Sequence, residues 1–122
     1  MKSAESRKEK RYPIHWPVAI VFSATEDQDT YHGVTHDMSL HGCAILTEHN
    51  VFSEHPVAVL FNLPAENPSG RRKVVEVRAR MVYTVLSSGH QKFRCGMQFL
   101  EFKGSGRATL KRAIDKRAVS AL

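Results

Sequence analysis

From Pro17 onward the chain alternates apolar and polar positions over short stretches separated by turn residues, the pattern of strands that bury one face. Val18, Ala19, Ile20, Val21 and Phe22 form a β-branched run that predicts a first strand over residues 17–22, followed by a polar, acidic hairpin loop over 23–30. Further strands are predicted over residues 31–38, 42–47 and 56–63. Residues 64–70 are dense in Pro, Gly, Asn and Ser, which makes them a loop. The longest alternation, residues 72–86, puts Val75, Val77, Ala79, Met81 and Tyr83 on one face, with Glu76, Arg78 and Arg80 on the other. After a turn at 87–90, residues 93–102 give a last strand in which Phe93, Cys95, Met97, Phe99 and Glu101 share a face.

Helical periodicity is confined to the C-terminal end. Ser105 can cap a helix over about 105–119, with Leu110, Ala113, Ile114 and Ala118 on its apolar side. Lys111, Arg112, Asp115 and Lys116 lie mostly on its wet side. Six short strands joined by hairpin turns, then one helix, predict a mostly β fold: a six-stranded antiparallel β-barrel with a C-terminal α-helix packed on it. The domain expectation is a flexible basic N-terminal tail over 1–12 and a barrel with its helix over 13–122.

Composition narrows the class without naming a function. At 122 residues the chain is one domain, and its 42% hydrophobic and 25% charged residues suit a globular protein. No apolar run is long enough for a signal peptide or a membrane span, so a cytoplasmic location is expected. Cys43 and Cys95 lack metal-type spacing and read as reduced, half-buried small hydrophobes, with a disulfide between them as the minor alternative. The formal charge of +6 favours an anionic partner. Its distribution is uneven, with one cluster at Arg7, Lys8, Lys10 and Arg11 and another from Lys103 to Arg117.

Two segments carry candidate chemistry. Arg7 and Arg11 form an Arg-x3-Arg pair before the stiff Tyr12-Pro13. Asp37, Ser39 and Gly42 form Asp-x-Ser-x2-Gly at a strand-to-strand corner. In that order, with Tyr12-Pro13-Ile14 leading into the first strand and Phe93-Arg94-Cys95-Gly96-Met97-Gln98-Phe99 closing the last, they resemble the PilZ domain family over nearly the whole chain. One departure is that Lys8, Glu9 and Lys10 stand between the arginines, where a second adjacent arginine is common in the family.

The resemblance implies a cyclic di-GMP receptor and no enzyme, with Arg7, Arg11, Asp37, Ser39 and Gly42 at the ligand and Lys8, Lys10 and His41 flanking it. The chemistry is coherent. An arginine fork meets guanine O6 and N7 in a bidentate contact and also pairs with phosphate. A carboxylate at Asp37 matches the N1–H and N2–H donors of guanine's other edge. Ser39 either bonds a phosphate oxygen or holds the turn, and Gly42 either admits a close backbone approach or adopts a positive φ. The resemblance further implies a tail that becomes ordered on ligand binding. An effector protein, not identified by the sequence, would then act in trans in the control of motility, pili, biofilm or exopolysaccharide. The alternatives are a nucleotide-independent adaptor working by protein contacts and a basic nucleic-acid-binding barrel. Nucleic acid is disfavoured because Trp16, Phe22, Phe61, Phe93 and Phe99 fall at strand positions expected to be buried.

Other constellations do not add up. His32, His36 and His41 crowd one region, yet two histidines four apart on a strand are separated by about 13 Å. No metal and no cofactor are therefore expected. Asp37, Ser39 and His41 are too regularly spaced along the chain for a nucleophile–base relay, and no phosphate-cradling glycine loop is present.

Overall fold

The computed structural model describes residues 10–22 and 29–120. Arg7 and Lys8, and most of the expected 23–30 loop, lie outside the described residues. Six strands are present: β1 (Pro17–Phe22), β2 (Asp29–Met38), β3 (Gly42–Thr47), β4 (Val57–Leu63), β5 (Lys73–Ser87) and β6 (Lys92–Phe102). They are followed by helix α1 (Gly106–Ser120). All pairings are antiparallel, and the order β1-β2-β3-β6-β5-β4 closes on itself because β4 also pairs with β1. Among the described residues, closure leaves no free edge strand, and each of the six strands is paired on both sides.

The alternating residues dictate the interior. Ile20, Ile45, Val59, Phe61, Val77 and Met97 are buried from five of the strands and meet in one core. Ser105 stands just before α1, and its carbonyl accepts the Thr109 amide at 3.2 Å, the first turn of the helix. The helix delivers Leu110 and Ile114 into the core cluster. Burying two such side chains contributes roughly 1.5–3 kcal/mol each, enough to fix the helix on the barrel. Among the described residues, no helix is long and apolar enough to cross a membrane.

Three β-bulges break the simple alternation. On β2, Thr35 pairs with Ile45 and Asp37 with Ala44, so His36 is the extra residue. On β5, Met81 pairs with Met97 and Tyr83 with Gly96, which makes Val82 extra. On β6, Phe99 pairs with Ala79 and Glu101 with Arg78, which makes Leu100 extra. An extra residue inverts the faces of everything beyond it. Two face assignments from strict alternation are therefore corrected. Tyr83 leaves the inner face and lies over Gly96 outside, and Glu101 turns to solvent while Phe102 packs against the core.

The segment before β1 is tied to β2. Tyr12 and Met38 exchange two backbone hydrogen bonds, each 2.9 Å. The buried Thr35 hydroxyl accepts the Trp16 amide at 2.8 Å and donates to the carbonyl of Ile14. This hydroxyl clamp holds Lys10 to Trp16 along the barrel wall and brings the one described motif arginine to the second motif.

Candidate functional site

Asp37 is the centre of the site. The bulge at His36 turns its carboxylate to the outer face of the barrel and sends the next residue, Met38, into the core. Oδ1 accepts hydrogen bonds from Arg11 Nη1 at 3.1 Å and from the backbone N–H of Ala44 at 3.1 Å. Oδ2 accepts from Arg94 Nη2 at 3.3 Å. With a side chain only 17% exposed, Asp37 is a largely desolvated anion held by two guanidinium groups and an amide.

Ser39 and Gly42 build the corner beside it. Ser39 is buried, and its hydroxyl accepts the amides of His41 and Gly42 at 3.0 and 3.2 Å while donating to the Gly42 carbonyl at 3.3 Å. Of the two roles open to it in the sequence, Ser39 here holds the turn. Gly42 lies outside the positive-φ residues, so close approach is its reason. A Cβ there would collide with the carbonyl oxygen of Met97 and stand 3.2 Å from Arg11 Nη2. The missing side chain thus seats β3 on β6 and leaves room for the Arg11 guanidinium.

Beyond these, sequence reasoning missed Arg94, Tyr83, His36 and His90. Arg94 donates from Nε to the Tyr83 hydroxyl at 3.1 Å as well as to Asp37. Tyr83 needs Gly96 beneath it, since a Cβ there would overlap its ring. His36 stands with Nδ1 3.6 Å from Asp37 Oδ2, and its ring meets those of His90 at 5.3 Å and His15 at 6.4 Å. The three histidines that converge in space are therefore not the three that crowd in sequence. Among the described residues no cluster could hold a metal ion. The available signals were the Gly96 position opposite an aromatic and the arginine two residues before Gly96; neither points to Asp37 without the strand register.

Next to the corner, Arg11, His41, Arg80, Tyr83, Gly96 and Gln98 are among the residues lining an open depression of about 380 Å³. Lys10 lies beside it in sequence, with Nζ 5.8 Å from the centre of the Tyr12 ring. The site has no thiol chemistry. Cys43 and Cys95 are both buried and free. Burial, reinforced by the nearby Asp37 charge, pushes the Cys43 thiol far above the usual range, and burial also raises Cys95.

The fold has counterparts among solved structures. The inhibitor of motility MotI/DgrA of Bacillus subtilis superposes with a TM-score of 0.73 at 16% identity, over 93% of this chain and 52% of that one. The PilZ domain of YcgR from Escherichia coli, solved with cyclic di-GMP, gives 0.65 at 18% identity, over 94% and 93%. The MrkH–cyclic di-GMP complex of K. pneumonia gives 0.58 at 13% identity, over 94% and 53%. The chain thus spans about half the length of the motility inhibitor and of MrkH. No curated protein matches it. At these identities the likeness is one of fold, but the PilZ domain profile matches residues 5–116, and with nearly the whole chain inside that match this protein belongs to the PilZ domain family.

Proposed function

We propose that the protein is a cyclic di-GMP receptor that binds the dinucleotide on the outer face of β2, β3, β5 and β6 and signals to a partner protein in trans. The observation that carries this reading is the convergence of Arg11 on Asp37 and Gly42, from motifs far apart in the chain, at the rim of a depression large enough for a small ligand. Related PilZ structures solved with cyclic di-GMP lend further support.

The roles follow from donor and acceptor chemistry. Arg11, and Arg7 from outside the described residues, present forks for guanine O6 and N7 and for phosphate. Asp37 accepts from the N1–H and N2–H of a guanine, and Ser39 and Gly42 keep the corner open. Lys8, Lys10 and His41 flank the ligand. Arg11 already lies on Asp37, so the ligand has to exchange guanine donors for an existing ion pair. Of the 1–12 tail, Arg11 and Tyr12 already lie on the barrel, so the ordering that closes the site falls to the residues before Lys10, at a backbone cost of about 1–2 kcal/mol per residue fixed. The closed tail and barrel face form the surface read by an effector in motility, pili, biofilm or exopolysaccharide control.

Calorimetric titration with cyclic di-GMP, with GTP and cyclic di-AMP as controls, tests the reading. Selective binding is expected, and Arg11→Ala should weaken it by about 1–3 kcal/mol, roughly fivefold to 150-fold. A flat trace from folded protein would reject the receptor and leave the nucleotide-independent adaptor.

A further inference from the structure

A second surface lies where α1 meets the loop between β4 and β5. Leu63, Pro64, Ala65 and Ala113 form the apolar lining of a slot of about 150 Å³. Lys73, Arg112, Lys116 and Arg117 surround it, and Glu66 is the one carboxylate among its lining residues. An apolar cavity of about 150 Å³ is large enough for a benzene-sized group. Lys73 on the slot and Arg80 on the depression lined by Arg11 belong to the same strand, roughly 23 Å apart at the rise of a β-strand. The two surfaces are therefore separate.

The rim shows what it accepts. The Glu66 carboxylate receives Lys73 Nζ at 3.1 Å and Arg112 Nε at 3.3 Å, and its backbone carbonyl receives Lys116 Nζ at 2.9 Å. The hydrogen bond from Lys73, then the charges of Lys73 and Arg112, hold the Glu66 carboxyl below its ordinary range. The Glu66 carboxylate takes two of these cations, Lys73 and Arg112, and Arg117 has no acidic partner among the described residues. We propose that this slot docks a short acidic segment of a partner protein, which seats one aromatic or branched aliphatic side chain between carboxylates that pair with Arg112 and Arg117. Charge complementarity and the recess together select this occupant. A lipid surface would need an apolar stripe facing outward, but Leu110 and Ile114 of α1 are committed to the core. A nucleic acid would need exposed aromatic rings for stacking, and none lines the slot.

The inference does not rest on the nucleotide reading, and its test is independent of cyclic di-GMP. A random peptide library is selected on the full chain, and the enriched peptides are titrated against wild type, against Arg112→Gln/Arg117→Gln and against Ala113→Met, which fills the slot without changing charge. Thermal melts check that each variant is folded. The expected peptides combine an apolar side chain with flanking Asp or Glu. Both variants should weaken them by about tenfold or more, the effect of losing a charge-assisted contact or the apolar seat. Failure to enrich such peptides, or equal binding to both folded variants, overturns the proposal. So does binding of phosphatidylglycerol vesicles or single-stranded RNA that the arginine variant abolishes while no acidic peptide binds, which would assign the face to lipid or nucleic acid.

Discussion

Asp37 and Glu66 are both carboxylates clamped by cations, yet they stand in different dielectric surroundings. The Asp37 side chain is 17% exposed and also takes the Ala44 amide, so its partners replace water that the barrel wall has excluded. Glu66 is 50% exposed and held by flexible side chains on a loop and a helix. A desolvated ion pair cannot lose one member without leaving the others uncompensated, whereas a surface pair exchanges with solvent at little cost. Asp37 is thus part of the framework of its site, and Glu66 is a replaceable occupant of its own.

The sharpest way to break the comparison is Asp37→Ala. It strands Arg11, Arg94 and the Ala44 amide and should cost about 2–3 kcal/mol, seen as a lower urea midpoint at unchanged slope. A loss within about 0.5 kcal/mol would mean that Asp37 behaves like a surface ion pair. Gly42→Ala should cost about 1–3 kcal/mol by forcing β3 away from the Met97 carbonyl. Gly96→Ala, where only the Tyr83 ring must swing aside, should cost less in the same urea experiment, and equal losses would contradict the packing described at these two glycines.

The smallest effect is expected at Glu66. Because its folded carboxyl titrates below the unfolded one, its contribution to stability is present above the ordinary glutamate range and lost as pH falls through the folded value. Its exposure keeps that contribution minor. Glu66→Gln should leave the melting temperature near neutral pH almost unchanged and slightly flatten its decline between about pH 5 and pH 3. A large loss at neutral pH would place Glu66 in the framework alongside Asp37.

Much of this was readable along the chain. Local turn chemistry and period-2 alternation set the strands to within a residue or two, and the 3.6-residue pattern found α1 and its buried Leu110 and Ile114. The resemblance, carried by Arg-x3-Arg and Asp-x-Ser-x2-Gly together and in that order, singled out the corner. Arg94, by contrast, looked like any outward arginine on a final strand. It reaches Asp37 only because β3 lies between β2 and β6 and aligns them.

The sequence by itself determined the element order, the barrel's inner residues between bulges, and the residue types brought to the site. Tertiary structure alone decided which way Asp37, Tyr83 and Phe102 point, which histidines meet, and where the slot opens beside α1. The reason is that a bulge belongs to a pair of strands. One extra residue is defined only against the neighbour it fails to match, and it inverts every face beyond it, so no reading of one strand can locate it.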